Sequence, residues 1–173
     1  SIAQPDKLLD NNRFSLSLKT GLNVSKFRND SIVFSSGTKP FIGISSSYGL
    51  SKRIDIKGDV DYSIRSSNTT GPSRKIENQY LDLTFSPRFK VYPDLFFHAG
   101  LSYSFILISN EINFNGDNRN GIERNKVKGY DSELNALVGI EFNLQDNVNI
   151  FFNYAIPTSN FNTSNFQIGL NFR

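Results

Sequence analysis

The chain has 173 residues and a formal net charge of +3, with 16 Phe and 7 Tyr but no Cys, Met or Trp. That length suits a single domain, and the lack of Cys excludes disulfides and thiol chemistry. Its 19 Lys and Arg are scattered among 16 acids, with no basic run of the kind that grips nucleic acid. The longest apolar runs, such as Phe105-Ile106-Leu107-Ile108, are far short of the roughly 18 residues of a membrane-spanning helix, so a helical membrane protein is excluded. Aromatic and β-branched residues favour strands, and Asn, Ser and Gly cluster as turns require. The composition therefore predicts a nearly all-β chain.

In chain order, Ser1-Ile2-Ala3-Gln4 has no initiating Met and looks like the small-residue end of an export signal, which predicts a mature exported protein. Residues 1–12 are read as an N-terminal segment and residues 13–173 as the β domain. The first strand is expected over Phe14 to Val24, with Phe14, Leu16, Leu18, Leu22 and Val24 opposite Ser15, Ser17, Lys19 and Asn23. The second runs from Phe41 to Leu50, Ile42, Ile44, Tyr48 and Leu50 alternating with Gly43, Ser45, Ser47 and Gly49. The third, IDIKGDVDYSI extended to Arg65, sets Ile54, Ile56, Val60, Tyr62 and Ile64 against Asp55, Lys57, Asp59, Asp61 and Ser63.

The fourth covers Gln79 to Val91, with Leu81, Leu83, Phe85, Phe89 and Val91 opposite Asp82, Thr84, Ser86, Arg88 and Lys90. Pro87 cannot donate to a ladder, so a bulge or a local break is expected there. The fifth, Leu95 to about Ile108, alternates Phe97, Ala99, Leu101, Tyr103 and Phe105 with His98, Gly100, Ser102 and Ser104. The sixth, Ser132 to Phe142, places Leu134, Ala136, Val138, Ile140 and Phe142 against Glu133, Asn135, Gly139 and Glu141. In the seventh, Val148, Ile150, Phe152 and Tyr154 lie opposite Asn149, Phe151 and Asn153. The last, Asn165 to Arg173, sets Phe166, Ile168, Leu170 and Phe172 against Gln167, Gly169 and Asn171.

Each strand has about the 9–11 residues that a tilted crossing of a hydrocarbon layer needs. The links alternate. Long polar stretches at Ser25–Pro40, Ser66–Asn78, Ser109–Asp131 and Ala155–Ser164 are interleaved with short turns at Ser51–Arg53, Tyr92–Asp94 and Asn143–Asn147. Up-and-down outer-membrane barrels combine long extracellular loops with short periplasmic turns, whereas a soluble calycin has mostly short hairpins. The expected fold is an all-β, eight-stranded antiparallel up-and-down transmembrane β-barrel, with both ends on the short-turn, periplasmic side.

One parity of every strand is oily and the other polar, and which one meets water decides between two proteins. In a soluble barrel the oily parity is the core; in a membrane barrel it faces lipid and the charges are inside. An eight-strand interior is only just wide enough for its side chains. Packing it with Phe14, Leu16, Leu18, Ile42, Ile44, Leu81, Phe85, Phe97, Tyr103, Phe152, Phe166 and their neighbours would crowd it, which favours the membrane reading.

On that reading the lumen carries a structural network of Lys19, Asp55, Lys57, Asp59, Asp61, Arg65, Asp82, Arg88, Lys90, Glu133 and Glu141, with the signs close enough to balance to pair. Interfacial aromatic belts are expected from Phe14, Tyr48, Phe89, Phe97, Phe142 and Phe172 near one end and Tyr62, Tyr103, Tyr154 and Phe166 near the other.

The segment QYLDLTFSPRFKVYPDLFFHAGLSYSF (79–105) has an apolar strand ending in basic residues, a short turn and an aromatic strand with Ala-Gly. With LNALVGIEFNLQDNVNIFFNYAIPTSNF and the closing FQIGLNFR it resembles the PorT-like and OmpA-type small outer-membrane β-barrels of Bacteroidetes-type bacteria. The likeness covers the last five strands well and the first three only by pattern. It departs at the end, where Arg173 follows the aromatic Phe172 on which an assembly signal usually finishes. The resemblance implies a barrel in the bacterial outer membrane, and it implies no single activity, because such barrels serve as anchors, adhesion surfaces and subunits of secretion or assembly machines.

No catalytic constellation is visible in the sequence. His98 is the lone histidine and is read as a structural hydrogen-bonding group; Asp55, Asp59 and Asp61 are read as ion-pair partners rather than a cation site. Asn115-Gly116-Asp117-Asn118 is reminiscent of a calcium loop but lacks the later acidic ligand. The expected function is a non-enzymatic, cofactor-free anchor or accessory subunit of an outer-membrane complex. Its expected partners are outer-membrane lipid, lipopolysaccharide and other outer-membrane or periplasmic proteins. The alternatives are a soluble calycin-like carrier of a small lipophilic ligand, or a small pore.

Overall fold

A computed structural model describes residues 14–27, 34–69, 74–114, 122–126, 132–158 and 163–173. The expected segment 1–12 and the Asn115–Asn118 loop lie outside these residues. The strands are β1 (Phe14–Phe27), β2 (Phe34–Gly49), β3 (Ile54–Thr69), β4 (Arg74–Tyr92), β5 (Leu95–Phe114), β6 (Ile122–Lys126), β7 (Glu133–Gln145), β8 (Val148–Pro157) and β9 (Thr163–Phe172). They form one sheet in the order β4-β3-β2-β1-β9-β8-β7-β5-β6, and a further β4–β5 pairing closes it. Eight antiparallel strands thus make a continuous ring. A ring has no edge, so each strand finds a ladder partner on both sides, as a lipid setting demands.

The alternation explains the ring's two faces. Ten residues of the oily parity, Leu16, Leu18, Leu22, Ile42, Ile44, Val60, Leu83, Phe85, Leu101 and Ile140, are between 40% and 59% exposed. The charged Lys19, Lys57, Asp59, Asp61, Arg65, Asp82, Arg88, Glu133 and Glu141 are at most 5% exposed. The interior is polar and the exterior apolar, the reverse of a soluble barrel.

All four long links read as loops are partly strand. The β3–β4 ladder continues through Arg65↔Asn78 to Asn68↔Lys75, leaving only residues 70–73 between the two strands. β5 runs on to Phe114 and pairs with β6 from Asn110↔Lys126 to Phe114↔Ile122, a hairpin inside the stretch 109–131. β2 likewise begins at Phe34, ahead of the expected Phe41, with Leu22↔Pro40 in register. The correction has a physical cause. Beyond the apolar belt neither face of a strand need be oily, so the period-2 signature vanishes while the backbone ladder continues.

Pro87 pairs with Ile56 on its β3 side, but the β4–β5 pairs lapse between Phe85↔Leu101 and Arg88↔His98 with the register unchanged. The register shifts of this strand pair fall elsewhere, at Gln79/Tyr80 and Lys90/Tyr92. Where β1 meets β9, Gly21 lies opposite Gly169. A Cβ on Gly21 would stand 2.1 Å from the Ile168 carbonyl oxygen and 2.6 Å from the Gly169 Cα, so this backbone approach admits no side chain. The ring is sealed there by close contact.

Candidate functional site

The lumen holds the most elaborate arrangement of the described residues. Adjacent strands send their even or odd parity inward, so ions distant in sequence meet in space. On β1, Lys19 Nζ donates to Asp59 Oδ2 at 2.8 Å and to Asp61 Oδ2 at 2.7 Å on β3. Asp59 Oδ1 also accepts from Ser45 Oγ of β2 at 2.5 Å. Lys57 Nζ lies 4.0 Å from Asp59 Oδ2 and donates across the barrel to Glu141 Oε2 of β7 at 2.8 Å. Glu141 Oε1 accepts from Arg88 Nη1 at 3.0 Å and Asn149 Nδ2 at 2.6 Å. Arg88 then reaches Asp55 Oδ2 through Nη2 at 2.6 Å and Nε at 3.1 Å. Asp61, Lys19, Asp59, Lys57, Glu141, Arg88 and Asp55 therefore form one connected chain.

A second cluster surrounds Arg65. Its Nη2 donates to Asp82 Oδ1 at 2.6 Å and Ser104 Oγ at 3.2 Å, while Nη1 lies 3.7 Å from Glu133 Oε2. Ser63 Oγ donates to the other Asp82 oxygen at 2.6 Å, and Thr163 Oγ1 and Tyr80 OH donate to Glu133 Oε1 at 3.2 and 3.4 Å. Lys90 stands apart. It shares the inward parity but is exposed at the end of β4, its Nζ 5.9 Å from the Phe96 ring centroid, and it enters no ion pair with the described residues.

The sequence reading gave no role to four inward aromatics. Phe41, Tyr80, Phe96 and Phe151 are buried, and all four floor the cations, Phe41 lying 5.8 Å from Lys19 Nζ. Arg65 lies 4.2 Å over Tyr80, Arg88 4.6 Å over Phe96, and Lys19 and Lys57 at 5.0 and 5.6 Å from Phe151. A desolvated cation on a ring face gains about 2 kcal/mol or more. The usable signal was parity: Phe151 sits between Asn149 and Asn153, and Tyr80 between Asn78 and Asp82.

His98 is buried, its Nε2 2.9 Å from Asn153 Oδ1. Gly139 lies against it: a Cβ there would be 2.4 Å from both the His98 Nε2 and the Asn153 Oδ1. Among the described residues, no carboxylate or hydroxyl hydrogen-bonds the ring, and no group of three His, Asp or Glu is placed to hold a metal. The void bounded by Asp61, Arg65, Asp82, Thr84, Ser102 and Asn165 measures about 10 Å³, room for a single water at most.

The expected belt aromatics all point outward and are exposed: Phe14, Tyr48, Tyr62, Phe89, Phe97, Tyr103, Phe142, Tyr154, Phe166 and Phe172. Several pair across strands, with Phe14↔Tyr48 and Phe89↔Phe97 near the short turns and Tyr154↔Phe166 toward the other end. Tyr103 stacks edge-on against Phe105 at 4.7 Å, and Tyr62 OH donates to Gln79 Oε1 at 2.9 Å.

A greasy exterior around a sealed ionic interior defines an integral membrane β-barrel. The chain belongs to the outer membrane protein beta-barrel domain family, whose model matches residues 3–173. It is similar in structure to Ail, the attachment invasion locus protein of Yersinia pestis (TM-score 0.58, 13% identity, 91% of this chain and 96% of that one). It is similar also to Neisserial surface protein A (TM-score 0.60, 14% identity, 92% and 98% covered) and to OprG from Pseudomonas aeruginosa (TM-score 0.53, 10% identity, 91% and 94% covered). No curated protein sequence matches it. The protein is an eight-stranded outer-membrane β-barrel that crosses the bacterial outer membrane many times.

Proposed function

We propose that the barrel is a rigid, closed anchor whose surface docks other outer-membrane or periplasmic proteins, as a structural or accessory subunit of a secretion or assembly machine of the PorT-like kind. One observation carries this reading: among the described residues the lumen is lined by mutually paired ions and rings, with a void of about 10 Å³ among them. Such a lumen supports neither a conducting pore nor an internal lipophilic ligand, which leaves the outer faces and ends as the working surface. The exposed oily parity also speaks against a soluble calycin.

The expected orientation puts the short turns and both termini in the periplasm and the long hairpins outside. On the outward end Lys39 and Lys75 share Glu77 at 2.8 and 3.3 Å, which among the described residues leaves positive charge for lipopolysaccharide phosphates. Copurification from native membranes in mild detergent tests the proposal. Stoichiometric protein partners are expected, and a protein recovered alone at every detergent strength overturns the subunit role. Planar-bilayer recording is expected to give no stable conductance, and reproducible open channels would restore the pore reading.

A further inference from the structure

We infer that the short-turn rim carries a binding site for the phosphate of an anionic glycerophospholipid, an inference that rests on the lipid-embedded, turns-inward reading above. A groove of about 380 Å³ opens between the β2–β3 and β4–β5 turns, lined by Lys52, Arg53, Lys90, Val91, Tyr92 and Pro93. Its walls are fixed by backbone. Ser51 Oγ accepts from the amides of Arg53 and Ile54 at 3.3 and 3.1 Å, and the Leu50 and Ser51 amides donate to the Ile54 carbonyl at 2.9 and 3.0 Å. The Lys90 amide donates to the Arg53 carbonyl at 2.8 Å, tying the end of β4 to the β2–β3 turn.

Three cationic residues therefore line one concavity, Lys90 with its Nζ 5.9 Å from the Phe96 ring centroid, and among the described residues none of them is ion-paired. The nearby Asp55 is already taken by Arg88, and Asp94 in the β4–β5 turn is the other carboxylate of these two turns. A planar guanidinium beside two ammonium groups matches the oxygens of a phosphate.

The occupant's second half is set by what lies next to the groove. Val91, Tyr92 and Leu50 are 56%, 67% and 51% exposed and continue the oily exterior of Ile54 and Phe89. A ligand held here places its anion in the groove and its apolar part down that surface. Free phosphate satisfies only the first half and an acidic peptide does not need the second. An anionic glycerophospholipid satisfies both, and it is the amphiphile class whose headgroups lie at the level of such a rim.

The test uses the purified full-length protein in detergent micelles, with native mass spectrometry of added phosphatidylglycerol, phosphatidylcholine, lipid A and, separately, inorganic phosphate. Preferential retention of phosphatidylglycerol is expected, reduced about fivefold in K90A and about thirtyfold in K52A/R53A, with each variant keeping its heat-dependent gel shift as proof of folding. Equal retention of phosphatidylcholine, insensitivity to both variants, equal occupancy by inorganic phosphate, or retention of lipid A alone would each overturn the site. A barrel that inserts into lipid yet shows no such preference removes this inference and leaves the anchor reading standing. A protein soluble without detergent removes both.

Discussion

Lys19 bridges two aspartates that face each other's charge inside the barrel. Its replacement by Met strands Asp61 away from water and leaves Asp59 with Ser45 and, at 4.0 Å, Lys57. Breaking a buried pair costs about 3–5 kcal/mol, whereas an exposed pair is worth at most about 1 kcal/mol. Urea unfolding in lipid vesicles should show the larger loss for Lys19→Met. Lys57→Met should lose less, because Glu141 keeps Arg88 and Asn149. The triple variant K19M/D59N/D61N removes the stranded charges and should recover most of the loss. A loss of 1 kcal/mol or less in Lys19→Met, by the same exposed-pair scale, would place these ions in solvent instead. At Gly21 the collision is with backbone, so Gly21→Val should destabilise by about 1–3 kcal/mol or block closure. Folding yield on unheated gels reads the result.

On the scale of the strand, side-chain parity converts into solvent. Ile44 lies mid-strand on β2, 51% exposed and facing outward between Leu18 and Val60 of its neighbours. An arginine there costs about 2–4 kcal/mol at a bilayer midplane. The same change on a water-facing surface would be nearly neutral. Vesicle-based unfolding of Ile44→Arg separates the two, and a loss below about 0.5 kcal/mol speaks for water. Parity also explains what the sequence disclosed. Within the belt, alternation such as Leu81-Asp82-Leu83-Thr84-Phe85 exposed eight strands and their faces, because one solvent is oil. Outside it, SSNT of β3 is polar on both parities and RKIEN of β4 holds one apolar residue, Ile76, so their ladder left no alternation. β6 has five residues in an Asn- and Gly-rich stretch, too few to show a period. The inward charges were legible for the same reason as the belt. The inward rings were not, since an aromatic fits either solvent and only its register, as with Tyr80, assigns it.

For the whole molecule, the β4–β5 pairing turns the sheet into a closed cylinder. A barrel of this kind should resist unfolding in unheated detergent gels and migrate differently after boiling; identical mobility before and after would contradict a stable closed ring. The central claim is that the oily exterior meets acyl chains while the ions are sealed inside. Since the chain has no Cys, single cysteines placed at Ile44, Leu83, Leu101 and Ile140 can each carry one spin label. Power-saturation measurements in lipid vesicles then compare accessibility to oxygen, which concentrates in hydrocarbon, with accessibility to a water-soluble nickel chelate. The account predicts high oxygen and negligible nickel accessibility at all four positions. Nickel accessibility equal to that of a water-exposed turn label would contradict it.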